Sequence, residues 1–325
     1  MKKIRIGVMG CANIAQRMVI PAIKNLPDNF ELVAIASRTY KKAQQFAHDF
    51  NTSAIIGYEN LIDRDDIDAI YMPLPTGLHN EWISKALISG KHVLVEKSLA
   101  LDYNSTQRLV ELARSKNLLL MENFMFKYHH QHQVVWQNIN KGNIGSVKLF
   151  RSQFGFPPLN PTNFRYDNDL GGGSLLDAGA YTVMASRWFL GDHQDVISSV
   201  LYIDSQRNID INGSVTLKNR KGIVSQLSFG FDNYYQCNYE FWGSKGRLFV
   251  DKAFTPKPFE TTQILLENQD KKVITNIIPD NHFLKILIEF QQCIEKKEHE
   301  SKFQDILDQS KTLTEIKERS KKIQL

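Results

Sequence analysis

From its start to about residue 125 the chain alternates short, nearly continuous apolar runs with longer stretches whose apolar residues recur at helical spacing. The runs are Ile4 to Met9 (IRIGVM), Glu31 to Ser37 (ELVAIAS), Ser53 to Tyr58 (SAIIGY), Asp68 to Leu74 (DAIYMPL), His92 to Lys97 (HVLVEK) and Leu118 to Phe124 (LLLMENF). Such runs read as strands covered on both faces, as in a parallel sheet flanked by crossover helices. Thr39 to Phe50 and Tyr103 to Lys116 carry the amphipathic period those helices need. The pattern predicts a repeated βαβ series.

After roughly residue 145 the pattern changes to alternation with period two, in SVKLFRSQFGF, VISSVLYIDS, INGSVTLKN, GIVSQLSFGF, QCNYEFWG, GRLFV and TTQILLEN. Alternation implies a mainly antiparallel, open sheet with one covered face. Helical stretches interrupt it at Ser174 to Phe189 and from Asn281 to the end, and the closing KTLTEIKERSKKIQL reads as a charged amphipathic helix with a solvated face. The expected fold is α/β: an N-terminal doubly wound Rossmann domain over 1–124, and an α+β domain over 125–325 whose C-terminal helices can pack back on the first. The change of pattern alone would put the boundary later, near Gly142 to Ser146.

With 325 residues, 42% hydrophobic and 23% charged, the chain can bury two cores of ordinary size. No stretch approaches the roughly 18 apolar residues of a spanning helix, and the start runs into a glycine turn without a cleavage site. A cytoplasmic protein is expected, with no membrane contact. Cys11, Cys237 and Cys293 lie far apart, which suggests neither a disulfide framework nor a zinc site. The net charge of +5 suits an anionic ligand, but the basic residues are spread along the chain, so no nucleic-acid partner is expected.

The first strand runs into Gly10-Cys11-Ala12-Asn13-Ile14-Ala15, a dinucleotide turn with alanine at two of its three small positions, ahead of a helix starting near Ala12 or Asn13. Such a turn lets a pyrophosphate approach the backbone at a helix N-terminus, although small residues also occur there for packing alone. The second strand ends in Ala36-Ser37-Arg38-Thr39-Tyr40-Lys41-Lys42, with no acid to hold the ribose hydroxyls of NAD. Ser37, Arg38 and Lys42 can instead hold a 2′-phosphate, which points to NADP(H); a solvated basic helix start is the alternative.

Glu96 and Lys97 end the fifth strand at the carboxyl edge of the sheet, where open α/β folds bind ligands, and a surface ion pair would also account for them. In the second domain Gly171-Gly172-Gly173 leads into a helix carrying Asp177 and Tyr181, four apart and on one face. Each alone can be a first-turn acid or a core aromatic. With Lys97 they suggest a proton-transfer site. The run Tyr128-His129-His130-Gln131-His132 lacks the partners zinc would want, and no metal is expected.

These residues resemble the glucose–fructose oxidoreductase, inositol dehydrogenase and rhizopine-catabolism family over essentially the whole chain, through GVMGCANIA, MPLPTGLHNEW, EKS, GGGSLLDAGAY and the domain order. The resemblance implies that Lys97, Asp177 and Tyr181 carry the chemistry. By the same token Leu74, Pro75, Thr76, His79 and Glu96 border the cofactor, His79 and Glu96 on its nicotinamide side. Asn123 and Arg165 look like cofactor contacts of the anhydrofructose reductase and dihydrodiol dehydrogenase branch. Ser98 stands where the family has proline.

Tyrosine at 181 together with Ser37-Arg38 looks most like the sugar-nucleotide 3-ketoreductases of deoxysugar biosynthesis. That likeness implies hydride transfer from NADPH to a ketone carbon, with a proton from Tyr181. Lys97 would stabilise the oxyanion, and Asp177 would orient the sugar hydroxyl or the lysine. Oxidation of a free sugar or a trans-dihydrodiol, and a non-catalytic NADP sensor, remain alternatives. The likeness also implies a homodimer or homotetramer.

Overall fold

The computed structural model describes residues 3–191 and 193–325. The chain divides into two compact units, one formed by the residues up to Met125 together with Phe283–Leu307, the other by Phe126–His282 and Asp308–Leu325.

Unit 1 contains six strands: β1 (Ile4–Met9), β2 (Phe30–Ser37), β3 (Ser53–Ile56), β4 (Ala69–Met72), β5 (His92–Val95) and β6 (Leu120–Glu122). They pair in parallel in the order β3-β2-β1-β4-β5-β6. Nearly every residue of β1, β4, β5 and β6 is buried, as expected when helices cover both faces. Helices Tyr40–Phe50, His79–Ile88 and Tyr103–Ser115 make the crossovers, the last capped by Asp102, whose carboxylate accepts from Ser105 N at 2.8 Å. Phe303 and Ile306, from the helix Glu300–Arg319, join the core of this unit. The strand order reverses between β1 and β4, the point at which sheets of this kind take their ligands.

Unit 2 is built on a nine-stranded sheet: β7 (Val147–Gly155), β8 (Gln194–Asp204), β9 (Ile209–Asn219), β10 (Val224–Gly230), β11 (Gln236–Gly243), β12 (Gly246–Val250), β13 (Thr262–Asn268), β14 (Lys272–Ile277) and β15 (Lys321–Gln324). The order is β14-β13-β12-β11-β7-β10-β9-β8-β15; β7 with β10 and β8 with β15 are parallel, the other pairs antiparallel. Burial alternates along β9 and β10, so one face is covered and the other open.

Three elements depart from the sequence reading. The polar run at His129, to which the sequence pattern assigns no element, caps and opens a helix, His130–Asn140. β14 is exposed over its first five residues and escapes a search for half-buried alternation. The C-terminal stretch is helical only to Arg319; Lys321–Gln324 pair with β8 as an edge strand, and their polar composition suits an edge.

Candidate active site

At the end of β1 the backbone turns at Gly10, whose φ of +114° favours glycine and whose N–H donates to Ala36 O at 2.9 Å. A Cβ there would lie 2.9 Å from Leu74 Cδ2, so the absent side chain keeps the β1 turn and the β4 loop in close contact. Cys11, Ala12 and Ile14 are half-buried and Asn13 is exposed, with helical conformation from Asn13 and a π-turn at Ala15–Val19. The Cys11 thiol lies 3.7 Å from Lys42 O, and burial pushes it up.

Ser37 is buried at the β2 end, its Oγ accepting from Thr39 N at 3.4 Å, whereas Arg38 and Lys42 are exposed. A residue the sequence reading passed over, Tyr58, closes this neighbourhood. Burial pushes its phenol up while the Arg38 charge opposes the rise, and its ring meets Trp82 edge-on at 5.0 Å. A buried hydroxyl with two exposed cations and the glycine turn fit an adenosine carrying a 2′-phosphate.

At the β4 and β5 ends Leu74 and Thr76 are buried and Pro75 half-buried. His79, which the resemblance sets on the nicotinamide side of the cofactor, is held from within the fold. It is wholly buried, with Nε2 2.8 Å from Leu74 O and Nδ1 3.0 and 3.1 Å from Ser98 O and Leu99 O. Burial pushes the imidazole below its ordinary value against the pull of those carbonyls. The ring is a strut joining the loop after β4 to the residues following Lys97. The Lys97–Ser98 peptide is cis.

Glu96 Oε1 accepts from Tyr71 Oη at 2.7 Å and from Asn123 Nδ2 at 2.6 Å. Asn123 is buried, and its Oδ1 has no hydrogen-bond partner among the described residues. Tyr71 is fully buried in β4. Its signal in the sequence is a single hydroxyl in the middle of an apolar strand.

In unit 2 the turn Phe164–Tyr166 carries Arg165, whose Nε donates to Asp177 Oδ2 at 2.6 Å. Sequence reasoning gave these residues separate tasks, Arg165 toward the cofactor and Asp177 toward the sugar hydroxyl or Lys97; the structure ties them together. Asp177 lies in a π-turn, Leu175–Gly179, which runs into the helix Ala180–Leu190 carrying Tyr181. Tyr181 is 6% exposed, its ring 5.2 Å from Phe154, 5.5 Å from Phe254 and 5.9 Å from Phe126. These rings fix its orientation.

In the histidine run, His129 and His132 are fully buried and His130 half-buried. His132 Nδ1 lies 2.7 Å from Tyr239 Oη, and burial beside His129 and His282 holds its imidazole well below the ordinary range. Among the described residues no group of three or more histidines, cysteines and acids is arranged to hold a metal, and no helix is long and apolar enough to cross a membrane.

The profile described as an oxidoreductase family with an NAD-binding Rossmann fold matches residues 4–124, and that of the Gfo/Idh/MocA C-terminal domain matches 132–249. The chain is 47% identical over 255 residues to a dTDP-3,4-didehydro-2,6-dideoxy-alpha-D-glucose 3-reductase of Saccharopolyspora spinosa, covering 78% of this chain and 76% of that one. An enzyme of the same description from Actinomadura kijaniata is 41% identical over 296 residues, 91% of this chain and 89% of its own. The crystal structure of a 3-ketoreductase from Actinomadura kijaniata in complex with NADP and TDP-benzene superposes with a TM-score of 0.97 at 39% identity, covering 100% of both chains. With its parallel six-stranded domain, its mixed nine-stranded domain and these matches along its length, the chain belongs to the Gfo/Idh/MocA oxidoreductase family.

Proposed function

We propose that this protein is an NADPH-dependent 3-ketoreductase acting on a keto-sugar linked to thymidine diphosphate. The observation that carries the reading is the full-length likeness to a 3-ketoreductase crystallised with NADP and a TDP ligand. Ser37, Arg38 and Lys42 support the choice of NADPH, and Tyr181 supports a phenolic proton donor.

The bound dinucleotide supplies a hydride to the ketone carbon. Tyr181 donates its hydroxyl proton to the ketone oxygen, giving the alcohol, and water returns a proton to the phenolate. Lys97 offsets the negative charge that develops on the oxygen. Arg165 orients Asp177 through their ion pair, and Asp177 holds a sugar hydroxyl beside the reacting carbon. Glu96, fixed by Tyr71 and Asn123, and Gly10 to Ile14 hold the dinucleotide, while His79 keeps the loop after Lys97 in place.

The reaction belongs in the cytoplasm, where thiols such as Cys11 stay reduced. The reading includes assembly as a homodimer or homotetramer through the open face of the nine-stranded sheet. There Trp242 is 53% exposed beside the Arg151, Glu240, Arg247 and Glu267 ion pairs. Light scattering on the purified protein decides that part.

The test of activity follows NADPH consumption with dTDP-linked 3-keto-sugars, and NADP reduction with free sugars and dihydrodiols. Turnover of the nucleotide-linked ketones supports the reading. Turnover of free sugars alone replaces it with an oxidative dehydrogenase, and tight NADPH binding without any turnover replaces it with a sensor.

A further inference from the structure

The segment Asn160–Gly173 contains only one short helical turn, yet it carries Arg165 and delivers the chain to Asp177 and Tyr181. One hairpin grips it at two points. At the β8–β9 tip the Asp204 carboxylate accepts from Gln206 N at 2.9 Å, Arg207 N at 3.1 Å and Arg207 Nη1 at 2.7 Å. Arg207, so fixed, places its guanidinium carbon 5.0 Å from the centre of the Tyr166 ring. The Tyr166 hydroxyl in turn donates to Asp232 at 2.7 Å and accepts from Leu159 N at 3.1 Å.

The second grip is Asp210, one residue into β9. Its Oδ2 accepts from Ser174 Oγ at 2.8 Å and from Leu175 N at 2.6 Å, at the start of the helix that bears Asp177. Helix starts leave N–H groups without intrahelical partners, and a nearby Ser, Thr, Asp or Asn ordinarily satisfies one of them. Here Ser174 occupies the capping position and makes no capping bond, so the acceptor is imported from another strand. Gly173 makes room for it: φ is +123°, and a Cβ would stand 2.5 Å from Asp210 Oδ1. A Cβ on Gly172 would stand 2.5 Å from Arg165 O. The glycine pair is thus pressed between the Arg165 turn and the Asp210 carboxylate, which explains why the loop needs small residues in physical terms.

We propose that Asp210 is a positioning residue for the reduction. By accepting from Ser174 and Leu175 it sets where the helix begins, and so where Asp177 and Tyr181 stand, without itself touching substrate. Burial pushes this carboxyl up while the Ser174 and Leu175 bonds and the Lys317 charge pull it back, as expected of an acid kept in place by its donors. The consequence for catalysis rests on the function proposed above; the placement of the helix does not.

The experiment compares Asp210→Ala, Asp210→Asn and Gly173→Ala with the wild type by amide hydrogen exchange over residues 171–181, by kcat and KM on a dTDP-linked keto-sugar, and by NADPH affinity. In Asp210→Ala, exchange at Leu175 and the following turn should rise at least about tenfold and kcat should fall about 10- to 100-fold, as for a displaced catalytic group. NADPH affinity should stay within about twofold, since the residues assigned to it other than Arg165 lie in unit 1. Asp210→Asn keeps an acceptor oxygen and should fall between, while Gly173→Ala should reproduce the loss with the carboxylate intact. Unchanged exchange in Asp210→Ala overturns the proposal, as does faster exchange with wild-type kcat. If Asp210→Ala fails to fold, the other two variants decide by the same criteria. If the wild type reduces no nucleotide-linked ketone, the proposed function fails, and the exchange arm still decides whether Asp210 sets the helix start.

Discussion

Arg165 and Asp177 meet through an Nε to Oδ2 contact of 2.6 Å, joining the turn before the glycine loop to the π-turn after it. Twelve residues apart in sequence, they form one ion pair. Removing either leaves the other's charge in a partly buried place, so single substitutions should cost nearly as much as the double. Arg165→Ala, Asp177→Asn and the double variant should therefore show a coupling of about 1 to 3 kcal/mol in kcat/KM. Strict additivity in that cycle would mean that the two residues act separately, as their sequence positions first suggest.

The proposed preference for NADPH assigns its 2′-phosphate to the exposed cations at the β2 end. Arg38→Ala should weaken NADPH binding about tenfold or more and leave NADH binding nearly unchanged, because NADH has no 2′-phosphate for the guanidinium to meet. Dissociation constants for both nucleotides give the ratio. An equal loss for both would reassign Arg38 to general packing, and no loss at all would remove it from the site.

Tyr181→Phe preserves the ring that packs against Phe154, Phe254 and Phe126 and deletes only the hydroxyl. With the proposed proton donor gone, kcat should fall by about 10² to 10⁴, whereas melting temperature and NADPH affinity should hold. Lys97→Ala should cause a loss of similar order through the oxyanion. Wild-type kcat in either variant would remove that residue from the mechanism.

The strands of unit 1 are legible because burial on both faces writes itself as unbroken apolar runs; β1 spans Ile4–Met9 as the pattern predicts. The runs overshoot at their carboxyl ends. Asp68 to Leu74 reads as one strand, yet β4 stops at Met72, because Pro73 and Leu74 stay buried while the backbone leaves the sheet for the ligand edge. Composition cannot separate a buried strand end from a buried loop. In the site the opposite limit applies. Lys97, Asp177 and Tyr181 are singled out by residue type and by the motifs that carry the resemblance, although Asp177 and Tyr181 alone also read as a first-turn acid and a core aromatic. Asp210 stays hidden because its partners are 35 and 36 positions away and nothing local marks it as a cap. His79 carries a motif's label in the sequence, but only the carbonyls of Leu74, Ser98 and Leu99 around its ring reveal a strut.

His92 makes unit 1 sensitive to acid. Its Nδ1 accepts from Leu119 N at 2.9 Å, and burial together with the neighbouring His299 lowers its pKa to about 4. In the unfolded chain the same imidazole titrates near its ordinary value of about 6.5. Between these values the unfolded chain binds a proton that the native chain refuses, so the stability this group contributes is complete above pH about 6.5 and drains away as pH falls toward about 4. The total loss is on the order of 3 kcal/mol, and His79 and His299, both also held low by burial, add to it with the same sign. His92→Asn retains a short acceptor for Leu119 N and removes the titration. Thermal midpoints measured from neutral pH down to about 4.5 should therefore decline less steeply in the variant than in the wild type. Parallel curves would show that the acid sensitivity lies in other groups, and a steeper decline in the variant would contradict the lowered pKa of His92.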